Sequence, residues 1–196
     1  MGVDGSGRAV AIQDGRYDAA AGTVTFTAER LGRYAVVYVE KTFTDIEGYT
    51  WARNAIEVMA AKGIISGTSE TAYSPGKSIR RVDFMLMLVK TLGLSAKVDG
   101  NFEDVKPGSY YYDAVGTAKK LGITSGVGDN RFDPSGYISR QDMMVLVERA
   151  LKAAGKQVSA GSAADLASYR DADKISGYAE DAISALVRDG LIAAEI

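Results

Sequence analysis

The 196-residue chain contains no cysteine and no histidine. Those two absences exclude disulfides, thiol nucleophiles, structural zinc held by Cys and His, and every histidine-based catalytic triad. Charge of either sign is also scarce in excess: 23 basic against 25 acidic residues leave a net −2, without the basic surplus of a nucleic-acid binder. No stretch approaches the roughly 20 apolar residues of a membrane helix. The Gly-rich start, Met1 to Arg8, lacks the apolar core of a signal peptide, which leaves a cytosolic protein or a piece of a longer exported one. What is present is the balance of a folded soluble chain, 46% hydrophobic and 24% charged, with room for one domain or two small ones.

A shift of 59 residues lays positions 43–94 on 102–153 without a gap and with 13 identities. Phe43-Thr44-Asp45-Ile46 falls on Phe102-Glu103-Asp104-Val105, and Gly63-Ile64-Ile65-Ser66-Gly67 on Gly122-Ile123-Thr124-Ser125-Gly126. Tyr73-Ser74-Pro75 meets Phe132-Asp133-Pro134, and Ile79-Arg80-Arg81-Val82-Asp83 meets Ile138-Ser139-Arg140-Gln141-Asp142. Gap-free matches over this length indicate a duplication. A third copy begins at Tyr169-Arg170-Asp171, continues through Tyr178 to Ile183 and Asp189 to Ile192, and stops at Ile196, about half a repeat long.

Each repeat reads as two helices joined by a polar loop. In the first helix, Trp51, Ala55, Ile56 and Met59 recur at three- and four-residue steps, as do Tyr111, Ala114, Val115, Ala118 and Leu121, and then Tyr178, Ala182, Ile183, Leu186 and Val187. Gly63, Gly122 and Gly190 follow, where a helix C-terminus favours a residue of positive φ. The second helix carries Val82, Met85, Leu86, Val89 and Leu92 in repeat 1, and Met143, Met144, Val147, Ala150 and Leu151 in repeat 2. Ser139 with Asp142 reads as a capping box; Arg80 occupies the cap position in repeat 1, so that cap is weaker or provided by another residue.

Residues 1–40 differ. Ala9–Ile12, Thr23–Thr27 and Tyr34–Val39 are β-prone and turns fall at Asp14-Gly15 and Ala21-Gly22, which suggests the tail of an upstream β-rich domain. The expected organisation is 1–40 β-rich, 41–98 repeat 1, 99–157 repeat 2, a flexible small-residue linker over 158–168, and 169–196 the truncated repeat 3.

These blocks resemble the S-layer homology modules of bacterial surface proteins. The pattern stands here as Phe43-x-Asp45-Ile46, Trp51-Ala52-x-x-Ala55-Ile56, Gly63-Ile64-x-x-Gly67, Tyr73-x-Pro75 and Ile79-x-Arg81-x-Asp83. The second copy departs mainly by Tyr110 for Trp and Asp142 for Glu. The resemblance implies a mainly α fold: helix-loop-helix repeats around a pseudo-threefold axis, a three-pronged spindle, here behind a short β segment. It implies a non-catalytic, non-covalent anchor to the bacterial cell wall, extracellular and without cofactor. The implied partner is a secondary cell-wall polysaccharide bearing pyruvylated N-acetylmannosamine, held in grooves between repeats.

A sugar carrying a ketal carboxylate calls for a forked cation, backbone N–H donors and an apolar plate. By position in the motif, Arg81 and Arg140 are the candidate cations, against a plain surface role. Trp51, Tyr110 and Tyr178 are candidate plates, against core packing. Asp45, Asp104 and Asp171 are candidates to accept hydrogen bonds from sugar hydroxyls or to orient a motif arginine, against a role as caps or turns before the first helix. Gly67 and Gly126 permit close approach of a ligand or only close a turn; repeat 3 has Ala194 there.

Three other patterns are set aside. Asp171 to Gly177 begins like a calcium loop, but Ile175, Ser176 and Ala182 hold the positions where an EF-hand needs an oxygen ligand, glycine and glutamate. Gly126-Val127-Gly128 follows no strand of a dinucleotide site. Tyr110-Tyr111-Tyr112 lacks the basic surroundings of base stacking, and no motif pairs two catalytic carboxylates. Two alternatives remain: an assembly module, in which the unpaired first helix of repeat 3 is covered by a second copy as a homodimer or by the β segment; and the C-terminal anchor of a surface hydrolase. Neither nucleic acid nor membrane is expected as a partner.

Overall fold

The computed structural model describes residues 1–3, 5–28 and 31–192. Ala194, the repeat 3 counterpart of Gly67, lies outside them. The chain forms two compact units, Met1–Lys77 and Ser78–Ile196. The division falls inside repeat 1, between its proline loop and its second helix. The described part is mainly helical, with short strands near the N-terminus, and none of its helices is long and apolar enough to cross a membrane.

In the first unit, β1 (Gly2–Val3) pairs with β2 (Ala9–Val10), and β3 (Arg16–Asp18) with β4 (Thr23–Thr25), all antiparallel. Gly22 takes φ +62° in the second hairpin turn. The strand expected at Tyr34–Val39 does not form: Ala35 donates to Met1 O at 3.0 Å and Tyr34 bridges Gly2, but no ladder follows. Alternating hydrophobicity needs a neighbouring strand to become a ladder, and Val36 and Tyr38 stand exposed. Helix α1 (Thr50–Ala61) buries Ile56 and Ala60 beside Phe43, Ile46, Ile64 and Ile65. Lys62 Nζ donates to Gln13 O and Gly15 O, both at 3.0 Å, tying the end of α1 to the connection between the two hairpins. Trp51 and Ala55, expected on the buried stripe, are exposed.

In the second unit, α2 (Arg81–Thr91), α3 (Tyr112–Lys120) and α4 (Arg140–Ala153) pack around a core of Val82, Met85, Val115, Ala118, Ile123 and Phe132, while α5 (Ala163–Leu166) packs on α6 (Gly177–Arg188), and α6 on α4. The pairing crosses repeats: α3 packs on α2, and α6 on α4. The first helix of a repeat therefore lies on the second helix of the repeat before it. This overturns the expectation of an uncovered α6, whose Ala179 and Ala182 cluster with Val145 of α4. With its apolar face already buried, α6 does not call for a second copy. On α4 the buried residues are Val145, Leu146 and Ala150, a stripe rotated from the expected one because both α2 and α6 press on this helix.

All three first helices end alike. Gly63, Gly122 and Gly190 adopt φ of +69°, +71° and +68°. The residue after each glycine donates back to Met59, Ala118 and Leu186, closing a Schellman motif that satisfies the last carbonyls. The second helices start differently. Ser139 Oγ accepts from Asp142 N at 3.2 Å, whereas Arg80 caps α2 with no side-chain hydrogen bond, a difference of about 1 kcal/mol of helix stability. The two starts are stitched side by side by Arg81 N to Gly136 O at 2.8 Å and Ile138 N to Ile79 O at 3.3 Å.

The segment expected to be a flexible linker is built into the unit. Ser162 and Asp165 form a capping box for α5, Leu166 is buried, and Arg188 of α6 holds Asp165 at 2.8 Å and Ser162 at 3.2 Å. Gly161 lies so close to Ser184 and Ala185 that a side chain has no room. A composition rich in small residues here reflects close packing rather than freedom.

Candidate binding grooves at the helix starts

The opening aspartates clamp the proline loops. Asp45 accepts from Tyr73 N at 2.8 Å and Ser74 N at 2.7 Å; Asp104 accepts from Phe132 N and Asp133 N, both at 2.8 Å. The Tyr73 N–H and, against some desolvation, the Ser74 N–H hold the Asp45 carboxyl below its ordinary range. Partial burial pushes Asp104 upward, but its two backbone donors outweigh it and its carboxyl also lies low. Ser74 and Asp133, the residues before proline, take left-handed φ of 62° and 57°, which the clamp supports.

Gly67 and Gly126 are explained by their own loops. A Cβ on Gly67 would meet Ala72 O at 2.4 Å, and one on Gly126, at φ +82°, would meet Arg131 O at 2.2 Å. The rings of Phe43 and Phe102 close over the same two glycines. Asp171 precedes a short 3-10 turn at Ala172–Lys174 and is exposed.

The aromatic at the start of the first helix reaches the second helix of the preceding repeat. Tyr110 Oη donates to Asp83 Oδ1 at 2.8 Å, and Tyr178 Oη donates to Asp142 Oδ1 at 2.8 Å. Desolvation and the Asp83 carboxylate push the Tyr110 phenol up to about 12, and burial with Asp142 raises Tyr178. The ring faces remain open, with Tyr110 69% and Tyr178 57% exposed. Trp51, in the first unit, is 84% exposed at the same point of α1. All three suit a plate for a sugar better than a core.

Arg81 and Arg140 occupy equivalent positions but different surroundings. Arg140 is exposed. Arg81 is half-buried; its guanidinium lies over the Phe132 ring, 5.2 Å from the centroid, and reaches Thr124 Oγ1 at 3.4 Å. Its Nε is buried without a hydrogen-bond partner. Burial lowers the affinity of Arg81 for its proton, while the charges of Asp142 and Asp133 support the cation. Partial burial works against the Asp142 carboxylate, but Ser139, Tyr178 and the charge of Arg81 keep it ionised well into acid. Arg81, Asp142 and Tyr178 thus bring three repeats to one place: a forked cation, an acceptor and an open ring.

Sequence reasoning missed a neighbouring feature. A shallow cavity of about 250 Å³ is lined by Arg80, Tyr110, Tyr111, Asp104, Arg131 and Asp133, among others. Arg131 stands 3.8 Å from Asp104. The available signal was the mismatch between repeats: Arg80 against Ser139, and Arg131 against Ala72. Among the described residues, no group of three metal-ligating side chains is gathered.

The S-layer homology domain matches residues 42–85 and 101–144, which hold α1, α3 and the first turns of α2 and α4. The chain is 32% identical over 182 residues to an amylopullulanase of Thermoanaerobacterium thermosulfurigenes, covering 92% of this chain and 10% of that protein. It is 33% identical to exoglucanase XynX of Acetivibrio thermocellus, over 79% of this chain and 14% of that one. It is 27% identical to the surface-layer 125 kDa protein of Lysinibacillus sphaericus, over 90% and 14%. The chain therefore spans between 10% and 14% of the length of these curated relatives. Matched in both full repeats at the helices and loops that build the grooves, the chain belongs to the S-layer homology domain family, whose modules anchor proteins at the cell surface and are not themselves catalytic.

Proposed function

We propose that this chain fastens a longer protein to the outside of a bacterial cell wall by binding a pyruvylated secondary wall polysaccharide. The single observation that carries this reading is Arg81: a half-buried guanidinium with an unpartnered Nε, stacked on Phe132 beside Asp142 and Tyr178. The guanidinium is held in place by burial and by Phe132, and the part of it that remains exposed offers charged donors to a ligand carboxylate. In this mechanism Arg81 pairs with the ketal carboxylate. The exposed Tyr178 ring supports the sugar ring, and Asp142, already the acceptor of Tyr178, accepts hydrogen bonds from sugar hydroxyls. Tyr110 serves the neighbouring side, with Asp104 and Gly126 shaping its loop. In the first unit Trp51, with Asp45 and Gly67, plays the part of Tyr110; in the second unit Arg140 presents a second, more open cation. Asp171 belongs to the turn before α6 and sets the approach of Tyr178.

The test is co-sedimentation of the chain with purified wall polysaccharide before and after chemical removal of its pyruvyl groups. Binding that disappears with the pyruvyl groups supports the reading; equal binding to the stripped polymer contradicts charge pairing. The hydrolases among the relatives favour a second statement, that the longer protein is a surface glycoside hydrolase carrying this anchor. The full-length reading frame decides it.

A further inference from the structure

The cavity between the starts of α2 and α3 is lined by two arginines that are not repeated in the other copy: Arg80 of repeat 1 falls on Ser139, and Arg131 of repeat 2 falls on Ala72. Arg80 stands where α4 has Ser139, and it gives up the helix cap that Ser139 provides. Among the described residues Arg80 forms no ion pair, and its side chain is on the cavity wall. Opposite it, Arg131 meets Asp104 only at 3.8 Å. Of the two carboxylates of the cavity, Asp104 is engaged by two backbone N–H groups, and the charge of Asp133 supports the Arg81 cation. A cap position held by a residue that cannot cap, with its charge turned to a hollow, marks local stability given over to a site.

We infer that this cavity is a second anion subsite, in which Arg80 and Arg131 take an additional acidic substituent of the glycan whose pyruvyl carboxylate lies at Arg81. The subsite rests on the wall-polysaccharide reading and sharpens it: the preferred ligand carries two acidic groups on neighbouring positions, the second a uronate carboxylate or a phosphate. Both anions suit a pair of guanidinium forks, and Tyr111 and Tyr110 supply flat walls for a second sugar ring.

The test is calorimetric titration of the whole chain with three synthetic probes: the methyl glycoside of pyruvylated N-acetylmannosamine, that sugar linked to glucuronic acid, and that sugar bearing a phosphate monoester. The expected result is at least about tenfold tighter binding of one doubly acidic probe than of the singly acidic one, a preference that collapses in Arg80→Ser and in Arg131→Ala. Which of the two probes gains identifies the second acid. Arg80→Ser restores a capping hydroxyl, so a thermal melt is expected to show a variant at least as stable as the parent, and a lost preference is not lost folding. Equal binding of all three probes overturns the subsite and leaves the anchoring reading intact. A preference that survives both substitutions overturns it as well. Failure of every probe to bind overturns both.

Discussion

Tyr110 of α3 donates its phenol proton to Asp83 of α2 at 2.8 Å, and the same contact recurs between Tyr178 of α6 and Asp142 of α4. It shows how the repeats are joined: each first helix is fastened to the second helix of its predecessor. Tyr110→Phe is expected to lower stability by about 1 kcal/mol or less, since the pair is solvent-exposed, as measured by urea unfolding. The phenol itself gives an independent readout. With Tyr110 pushed up to about 12 and Tyr73 and Tyr178 also raised, alkaline spectrophotometric titration should find several late-titrating tyrosines, the latest of which is absent in Tyr110→Phe. A phenol raised in the folded state stabilises fully below its ordinary value near 10 and loses that contribution as pH rises toward 12.

The Asp104 clamp predicts the acid behaviour. Its carboxyl lies below the ordinary value, so its contribution is present above about pH 4 and is lost as pH falls through the folded value. Asp104→Asn keeps one acceptor and loses the charge. It should be less stable than the parent at neutral pH and show a shallower loss of stability on acidification, followed by circular dichroism from pH 6 to about 2.

The glycines separate two mechanisms. At Gly122 a Cβ meets nothing, so Gly122→Ala carries only the cost of a left-handed backbone, about 1–2 kcal/mol. At Gly126 a Cβ meets Arg131 O at 2.2 Å and Phe102 at 2.7 Å, and Gly126→Ala should cost at least about 2 kcal/mol more. Denaturant midpoints of the two variants compare them directly.

Removing the misplaced cap residue should act in the opposite sense. Arg80→Ser is expected to stabilise the chain by about 0.5–1 kcal/mol, raising the thermal midpoint by a few degrees, because it rebuilds at α2 the contact seen between Ser139 and Asp142.

Much of this architecture was legible in the residues. The 59-residue register, the glycine stops at Gly63, Gly122 and Gly190, and the Ser139 cap follow from local chemistry, which acts over one turn of chain. What was not legible depends on which surfaces meet. An apolar stripe names a buried face but not its partner, so the pairing of α6 with α4 was hidden and a second copy was invoked for a face that α4 covers. The small residues of 158–168 read as slack, although Gly161 is small because Ser184 and Ala185 crowd it. Of the proposed site, Arg81, Tyr110 and Tyr178 are named by their place in the motif. Arg80 and Arg131 break the repeat, so what the two copies share does not single them out.

The most direct measurement of the central claim is calorimetric titration of the chain with synthetic pyruvylated N-acetylmannosamine, alongside Arg81→Ala and Arg140→Ala. The account predicts saturable binding by the parent, a loss of at least about tenfold in Arg81→Ala, where a desolvated charged contact is removed, and a smaller loss in the exposed Arg140→Ala. Unchanged affinity in a folded Arg81→Ala would contradict it.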